Sequence, residues 1–193
     1  MYYIPNIIRE TSEGLNQIPI QDILFQRREV ECIGEIAGDS VAALILQLRY
    51  LHHEAPEQEI TMYINSPGGE VSSGLALYDV MKAIQCPIRT VCVGTAASMA
   101  AILFLSGDKR DMLAHSKVMI HDPLIPGGIG GSALKVDAVA RNLMQTRQTI
   151  ANIISRHTGK SLEDVLAKTA SDSYFDAEQA VKWGLADRII HEL

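Results

Sequence analysis

No apolar run in this sequence approaches the length of a membrane span. The longest, Met99 to Leu105, is seven residues, where a spanning helix needs about twenty. No basic stretch leads into an apolar one near the first residue, so no secretory signal is predicted. Basic residues are in deficit, 17 Lys and Arg against 23 Asp and Glu, for a net charge of −6. That balance argues against a nucleic-acid partner, which calls for a basic face. Cysteine is scarce as well. Cys32, Cys86 and Cys92 are odd in number and unclustered, which excludes a disulfide or zinc framework and predicts reduced core thiols in a cytoplasmic protein. Internal repeats, low-complexity tracts and linkers are all missing.

What remains is a chain of 193 residues, 47% hydrophobic. That is one domain by length, with enough apolar side chain for a real core. From residue 29 onward, short β-branched runs alternate with helical patterns. Residues 29–36, 60–65 and 88–93 predict strands, and 41–53, 70–85 and 99–105 predict helices after them. Repeated strand–helix units predict a parallel sheet with helices packed on it. His52 and His53 are neighbours at a helix end, point about 100° apart and do not make a metal pair. Residues 117–121 predict a further strand. Residues 132–157 predict one long helix with Val136, Val139, Leu143, Ile150 and Ile154 on its apolar stripe. At 1.5 Å per residue it would reach roughly 35–40 Å, more than a domain of this size needs internally. Gly159 ends it, and Ser161-Leu-Glu-Asp164 opens a short helix as a near capping box. Residues 1–28, broken by Pro5, Gly14 and Pro19, give no clear assignment.

The chemistry centres on Gly94-Thr-Ala-Ala-Ser98-Met-Ala-Ala. A strand, a tight glycine turn and a buried helix would put Ser98 at a helix N-terminus. There, free backbone N–H groups and the helix dipole favour a developing negative charge. The same position suits a plain N-cap serine, and the second glycine of a G-x-S-x-G elbow is missing. Pro67, Gly68 and Gly69 make a turn able to aim an N–H into a site. The Pro-Gly-Gly-Ile-Gly-Gly run at 126–131 lacks the spacing of a phosphate loop and reads as a flexible loop.

Three motifs occur in order: Met62-Tyr-Ile-Asn-Ser-Pro-Gly-Gly69, Gly94-Thr-Ala-Ala-Ser98-Met, and Val118-Met-Ile-His121-Asp-Pro123. Together they resemble the ClpP family of Clp protease proteolytic subunits, from about Val30 to the C-terminus. The resemblance implies an α/β fold of the ClpP/crotonase-like ββα spiral type with a protruding handle helix. It implies a single protease domain over residues 29–193, with the handle region at about 122–157, preceded by an axial-loop segment at 1–28. It makes Ser98 the nucleophile, His121 the general base and Asp172 the orienting carboxylate, with the N–H groups of Gly69 and Met99 as the oxyanion hole. Asp122, next to the histidine, is passed over because neighbouring strand residues face opposite ways. The family usually carries an acidic residue and an arginine directly before the matching aspartate. Here Ala170 and Ser171 stand there, and that charged pair is tied to ring–ring contact. The 126–131 region is, in the family, a strand that pairs with substrate.

The function implied is a serine endopeptidase that cleaves unfolded polypeptides inside a chamber of stacked heptameric rings, a tetradecamer. A separate AAA+ Clp ATPase would feed it. No cofactor is implied for this subunit, because ATP is used by the partner. Two other readings fit less of the chain. One is a weakly active or inactive ring subunit mixed with a ClpP paralogue. The other is a crotonase-fold acyl-CoA enzyme, which would use Gly68 and Gly69 but not a Ser/His/Asp set.

Overall fold

The computed structural model describes residues 5–12 and 14–193. Residues 1–4 and 13 of the proposed axial segment therefore lie outside the described residues. A hairpin of β1 (Asn6–Thr11) and β2 (Gly14–Pro19) comes first and forms its own two-stranded sheet. α1 (Ile20–Gln26) follows it. These elements were not legible in the sequence.

The main sheet begins at β3 (Glu29–Ile36) and continues through α2 (Gly38–Glu54), β4 (Ile60–Gly69), α3 (Val71–Ala83), β5 (Ile88–Ala97) and α4 (Met99–Leu105). β6 (Lys109–Leu113), β7 (Lys117–Ile120), α5 (Ala133–Thr158), α6 (Leu162–Thr169), β8 (Ser173–Asp176), α7 (Ala177–Trp183) and β9 (Arg188–Ile190) complete it. The strand order is β3-β4-β5-β6-β9, and all these neighbours are parallel, as the repeated strand–helix pattern requires. β5 is long enough to serve two partners. Its first half pairs with β6 and its second half, Thr95 to Ala97, pairs with β7. β8 then runs antiparallel to β7. The sheet forks along β5, and the site lies on the β7 branch.

The core is apolar and continuous. Leu48, Ile60, Met62, Ile64, Leu77, Leu103, Phe104 and Ile154 are fully buried. α4 is buried at every position, which explains why its sequence is small and then uniformly apolar. The three cysteines are unbridged and buried, as expected, and burial pushes the Cys32 thiol up to about 11. Among the described residues, no helix is long and apolar enough to cross a membrane.

Three local expectations are corrected. The Ser66-Pro-Gly-Gly69 segment is not a turn. It stays extended as the end of β4, with Gly68 opposite Glu35 and Gly69 opposite Ile36. Gly94 does not turn the chain either. It lies inside β5, where a Cβ would come within 2.4 Å of Asn65 Oδ1. β6 was missed altogether. Among the described residues, 121–132 pair with no strand of this chain.

α5 matches its prediction within a residue at each end and is 26 residues long, or about 39 Å. Only its second half docks, through Ile150, Ala151, Ile153 and Ile154. The first half exposes Leu134 (82%), Val136 and Met144. Ser132 caps it by accepting from the Lys135 N–H, and Gly159 at φ 70° closes it. Ser161 caps α6 by accepting from the Asp164 N–H.

Candidate active site

Ser98 occupies the junction of β5 and α4. Its backbone has φ 54° and ψ −122°, a conformation that costs an L-residue of order 1–3 kcal/mol. The turn is therefore made by the serine itself, and Gly94 plays no part in it. Its side chain makes no cap hydrogen bond, so the plain N-cap reading is set aside. The Ser98 N–H donates to the Met119 carbonyl at 2.9 Å. That bond fixes the serine to β7, the strand that delivers His121 two residues further on.

His121 lies one residue past β7. Its Nε2 is 2.8 Å from Ser98 Oγ and its Nδ1 is 3.2 Å from Asp172 Oδ1. The imidazole side chain is 16% exposed and the Asp172 carboxylate 60%. Asp172 comes from the loop between α6 and β8. The pairing of Ile120 with Ser173 brings that loop beside the histidine. Three side chains spread over seventy-odd positions thus form one continuous chain of polar contacts. Read from its own neighbours, Asp172 is an ordinary loop residue. Only the resemblance picked it out.

Two backbone segments flank the serine. Gly68, at φ +94°, packs so closely that a Cβ there would come within 2.7 Å of Ser98 Cβ and 3.0 Å of Met99 N. The Gly68 N–H donates to Ser66 Oγ at 3.1 Å, and Asn65 Oδ1 accepts from Thr95 N–H at 3.1 Å. These bonds tie the end of β4 to itself and to β5. Gly69 lines the same groove as Ser98 and His121. Met99 is the first residue of α4, where an α-helix leaves its N–H without an intrahelical acceptor.

The groove over Ser98 measures about 1150 Å³ and is open to solvent. One side is lined by Glu35 of β3, the end of β4 and the start of α3, with Glu70 and Leu75. The other is the free half of α5, with Lys135, Val139 and Leu143. Beneath the serine, Val71, Met99, Ile102, Ile120, Ile150 and Ile154 line a small apolar pocket. Glu70 is held below the usual carboxylate range by hydrogen bonds from Ser73 and Ser72. Among the described residues, no group of three or more His, Cys, Asp or Glu is arranged to hold a metal ion.

Asp122 is turned away from His121, as strand alternation predicts. Its carboxylate accepts from Arg147 and Thr169 instead.

A family model of the Clp protease matches residues 12–193, which begins before Val30, where the resemblance in sequence starts, and covers nearly the whole chain. With the forked α/β sheet and the projecting α5, that match places this chain in the Clp protease family of serine peptidases.

Proposed function

We propose that the chain is a serine endopeptidase that hydrolyses peptide bonds of unfolded polypeptides through an acyl-enzyme. The observation that carries this is the Ser98–His121–Asp172 contact chain at 2.8 and 3.2 Å. A serine hydroxyl is a weak nucleophile at neutral pH and needs a base in reach, itself held in one tautomer. Ser98 Oγ attacks the scissile carbonyl carbon while His121 Nε2 takes its proton. The carbonyl oxygen becomes an oxyanion facing the Gly69 and Met99 N–H groups. The C–N bond then breaks and His121 returns the proton to the leaving amine. Water, deprotonated by His121, hydrolyses the resulting ester and frees Ser98. Asp172 keeps the Nδ1 proton in place throughout. The open groove suits an extended chain.

The assembly belongs to the same reading. The exposed apolar side chains on the first half of α5 would interdigitate between two stacked heptameric rings. The N-terminal segment, residues 1–28, would lie at the axial entrance. An AAA+ Clp ATPase would unfold and feed substrates, spending the ATP itself, so this subunit would need no cofactor. The reading puts the particle in the cytoplasm.

A second reading is a weakly active ring subunit that works in mixed rings with a ClpP paralogue. The exposure of Asp172 and the uncharged Ala170 and Ser171 before it favour that reading. One experiment separates the two. The purified protein is given a small fluorogenic peptide, alone and mixed with a paralogue, beside a Ser98→Ala variant. Cleavage by the protein alone that Ser98→Ala abolishes supports the first reading. Silence alone with activity on mixing supports the second. Undiminished cleavage by Ser98→Ala overturns the assignment of the nucleophile.

A further inference from the structure

The histidine and its carboxylate come from different segments, and their contact is solvent-accessible. Something must hold those segments in register. Three successive links do so. Ile120 pairs with Ser173 in the β7–β8 ladder. His121 Nδ1 meets Asp172 Oδ1. The Asp122 N–H donates to the Thr169 carbonyl at 2.8 Å. The third link is then reinforced by side chains. Asp122 Oδ1 accepts from Thr169 Oγ1 at 2.7 Å, and Oδ2 accepts from Arg147 Nε at 2.5 Å. Arg147 Nη2 also reaches the Leu166 carbonyl at 3.4 Å. Thr169 is buried, and Asp122 and Arg147 are both well shielded, at 31% and 25%.

We infer that Asp122 is a positioning residue for the proposed hydrolysis: paired with Arg147 of α5 and Thr169 of α6, it fixes the spacing between His121 and Asp172. The inference rests on the peptidase reading for its kinetic consequence, but its geometric content stands alone. Charge-assisted bonds in a shielded site are strong and directional. Asp122 spends its N–H and one carboxylate oxygen on Thr169, at the end of the helix leading into the Asp172 loop, and its other oxygen on Arg147 of α5. Ala170 and Ser171, between Thr169 and Asp172, bring no charge of their own to that job. The tether is built within one chain.

The test uses Asp122→Asn, Arg147→Gln and their double variant, with Thr169→Val as a gentler change and Glu59→Gln as a remote control. All are compared as assembled particles of unchanged native mass. Asp122→Asn is expected to lower kcat on a fluorogenic peptide by about tenfold or more, since sub-ångström misplacement of catalytic groups is costly. KM should stay within about twofold, because the groove is untouched. Thr169→Val should move kcat the same way by less. The double variant should be no slower than the slower single one, because the pair acts as a unit. Glu59→Gln, which breaks only the exposed pair with Lys109, should match the wild type. A structure of Asp122→Asn is the second readout. Loss of the His121–Asp172 contact supports the inference, and its retention near 3.2 Å overturns it. An unchanged kcat in Asp122→Asn with an active wild type also overturns it. A wild type inactive on every peptide overturns the peptidase reading instead, and the distance in the variant then decides this inference by itself.

Discussion

Tyr78 on α3 and His157 in the last turn of α5 meet hydroxyl to Nε2 at 3.0 Å, with their rings edge to face. This contact fastens the docked end of the long helix to the core. Arg110 Nη1 donates to the His157 carbonyl from the other side. Burial, and then the charges of Lys82, Arg110 and Arg156, push the imidazole down to about 4 from its ordinary 6.5. The sign follows from proton counting. Between those two pH values the unfolded chain binds a proton that the folded chain does not. The stability contributed by neutral His157 is complete above about pH 6.5 and is lost as pH falls towards 4. The slope is at most about 1.4 kcal/mol per pH unit. Urea unfolding at fixed protein concentration should show the wild type weakening across this window and His157→Gln weakening less steeply. Parallel slopes would show that the imidazole is already protonated in the folded state.

Asp111 of β6 has the opposite behaviour. Its carboxylate is 1% exposed and accepts from Arg89 Nε at 2.6 Å and Arg188 Nε at 2.8 Å, pinning β5, β6 and β9 together. Burial alone would raise its pKa. The hydrogen bonds and charges of Arg188 and Arg89 outweigh burial and hold it below the usual carboxylate range. Stability from this group is present above the unfolded carboxyl value, about 4, and is lost as pH falls below it. Asp111→Ala should cost about 3 kcal/mol at neutral pH, since it strands Arg89 beside a buried vacancy. It should also flatten the loss of stability below about pH 4. A cost under about 1 kcal/mol would mean that the pair behaves like an exposed one.

These examples show why parts of the fold were legible and others were not. α4 buries a uniform apolar run, β5 opens on a run rich in β-branched residues, and β3 alternates buried Val30 and Cys32 with Glu29 and Glu31, so pattern alone finds them. β6 reads Lys-Arg-Asp-Met-Leu, and three of its five residues are charged. Lys109 pairs with Glu59, Arg110 with Asp187 and Asp111 with two arginines, partners up to 77 positions away that local periodicity cannot register. The Ser66–Gly69 segment carries every sign of a turn, yet pairing with β3 keeps it in the sheet, past irregularities at Ile33/Glu35 and Ile64/Ser66, a tertiary override of local preference. Ser98 and His121 sit in motifs with their own logic. Asp172 and the Asp122–Arg147 pair owe their positions to the meeting of β7, β8 and α5, which no single stretch encodes.

Gly68 packs tightly against Ser98. A Cβ on it would lie 2.6 Å from the Ala97 carbonyl and 2.7 Å from Ser98 Cβ, at a φ of +94°. Backbone on one side and the serine on the other leave nothing flexible to yield. Gly68→Ala should cost roughly 2 kcal/mol or more, combining backbone strain with overpacking. It should also drive Ser98 away from His121 and remove peptide hydrolysis. At Gly74 the three nearest atoms belong to the Met99 side chain, which can change rotamer. Gly74→Ala should be the milder variant in both assays. Equal activity for Gly68→Ala and wild type would show that the end of β4 is not part of the site.

The backbone of Ser98 allows a sharper test than loss of activity. At φ 54° and ψ −122°, serine and alanine bear the same strain, of order 1–3 kcal/mol, and glycine bears almost none. Ser98→Ala and Ser98→Gly both delete the hydroxyl and its 2.8 Å contact with His121, so both should be inert towards peptides. They differ in strain and in the freedom of the unfolded chain. Glycine loses about 0.5–1 kcal/mol more than alanine on ordering. Strain relief outweighs that loss in most of its range, so Ser98→Gly should unfold about 1 kcal/mol harder than Ser98→Ala in urea. Elsewhere in a buried strand-to-helix junction the order would be reversed. An alanine variant as stable as the glycine variant, or more so, would mean that the chain relaxes at Ser98 and that the elbow is not held under strain.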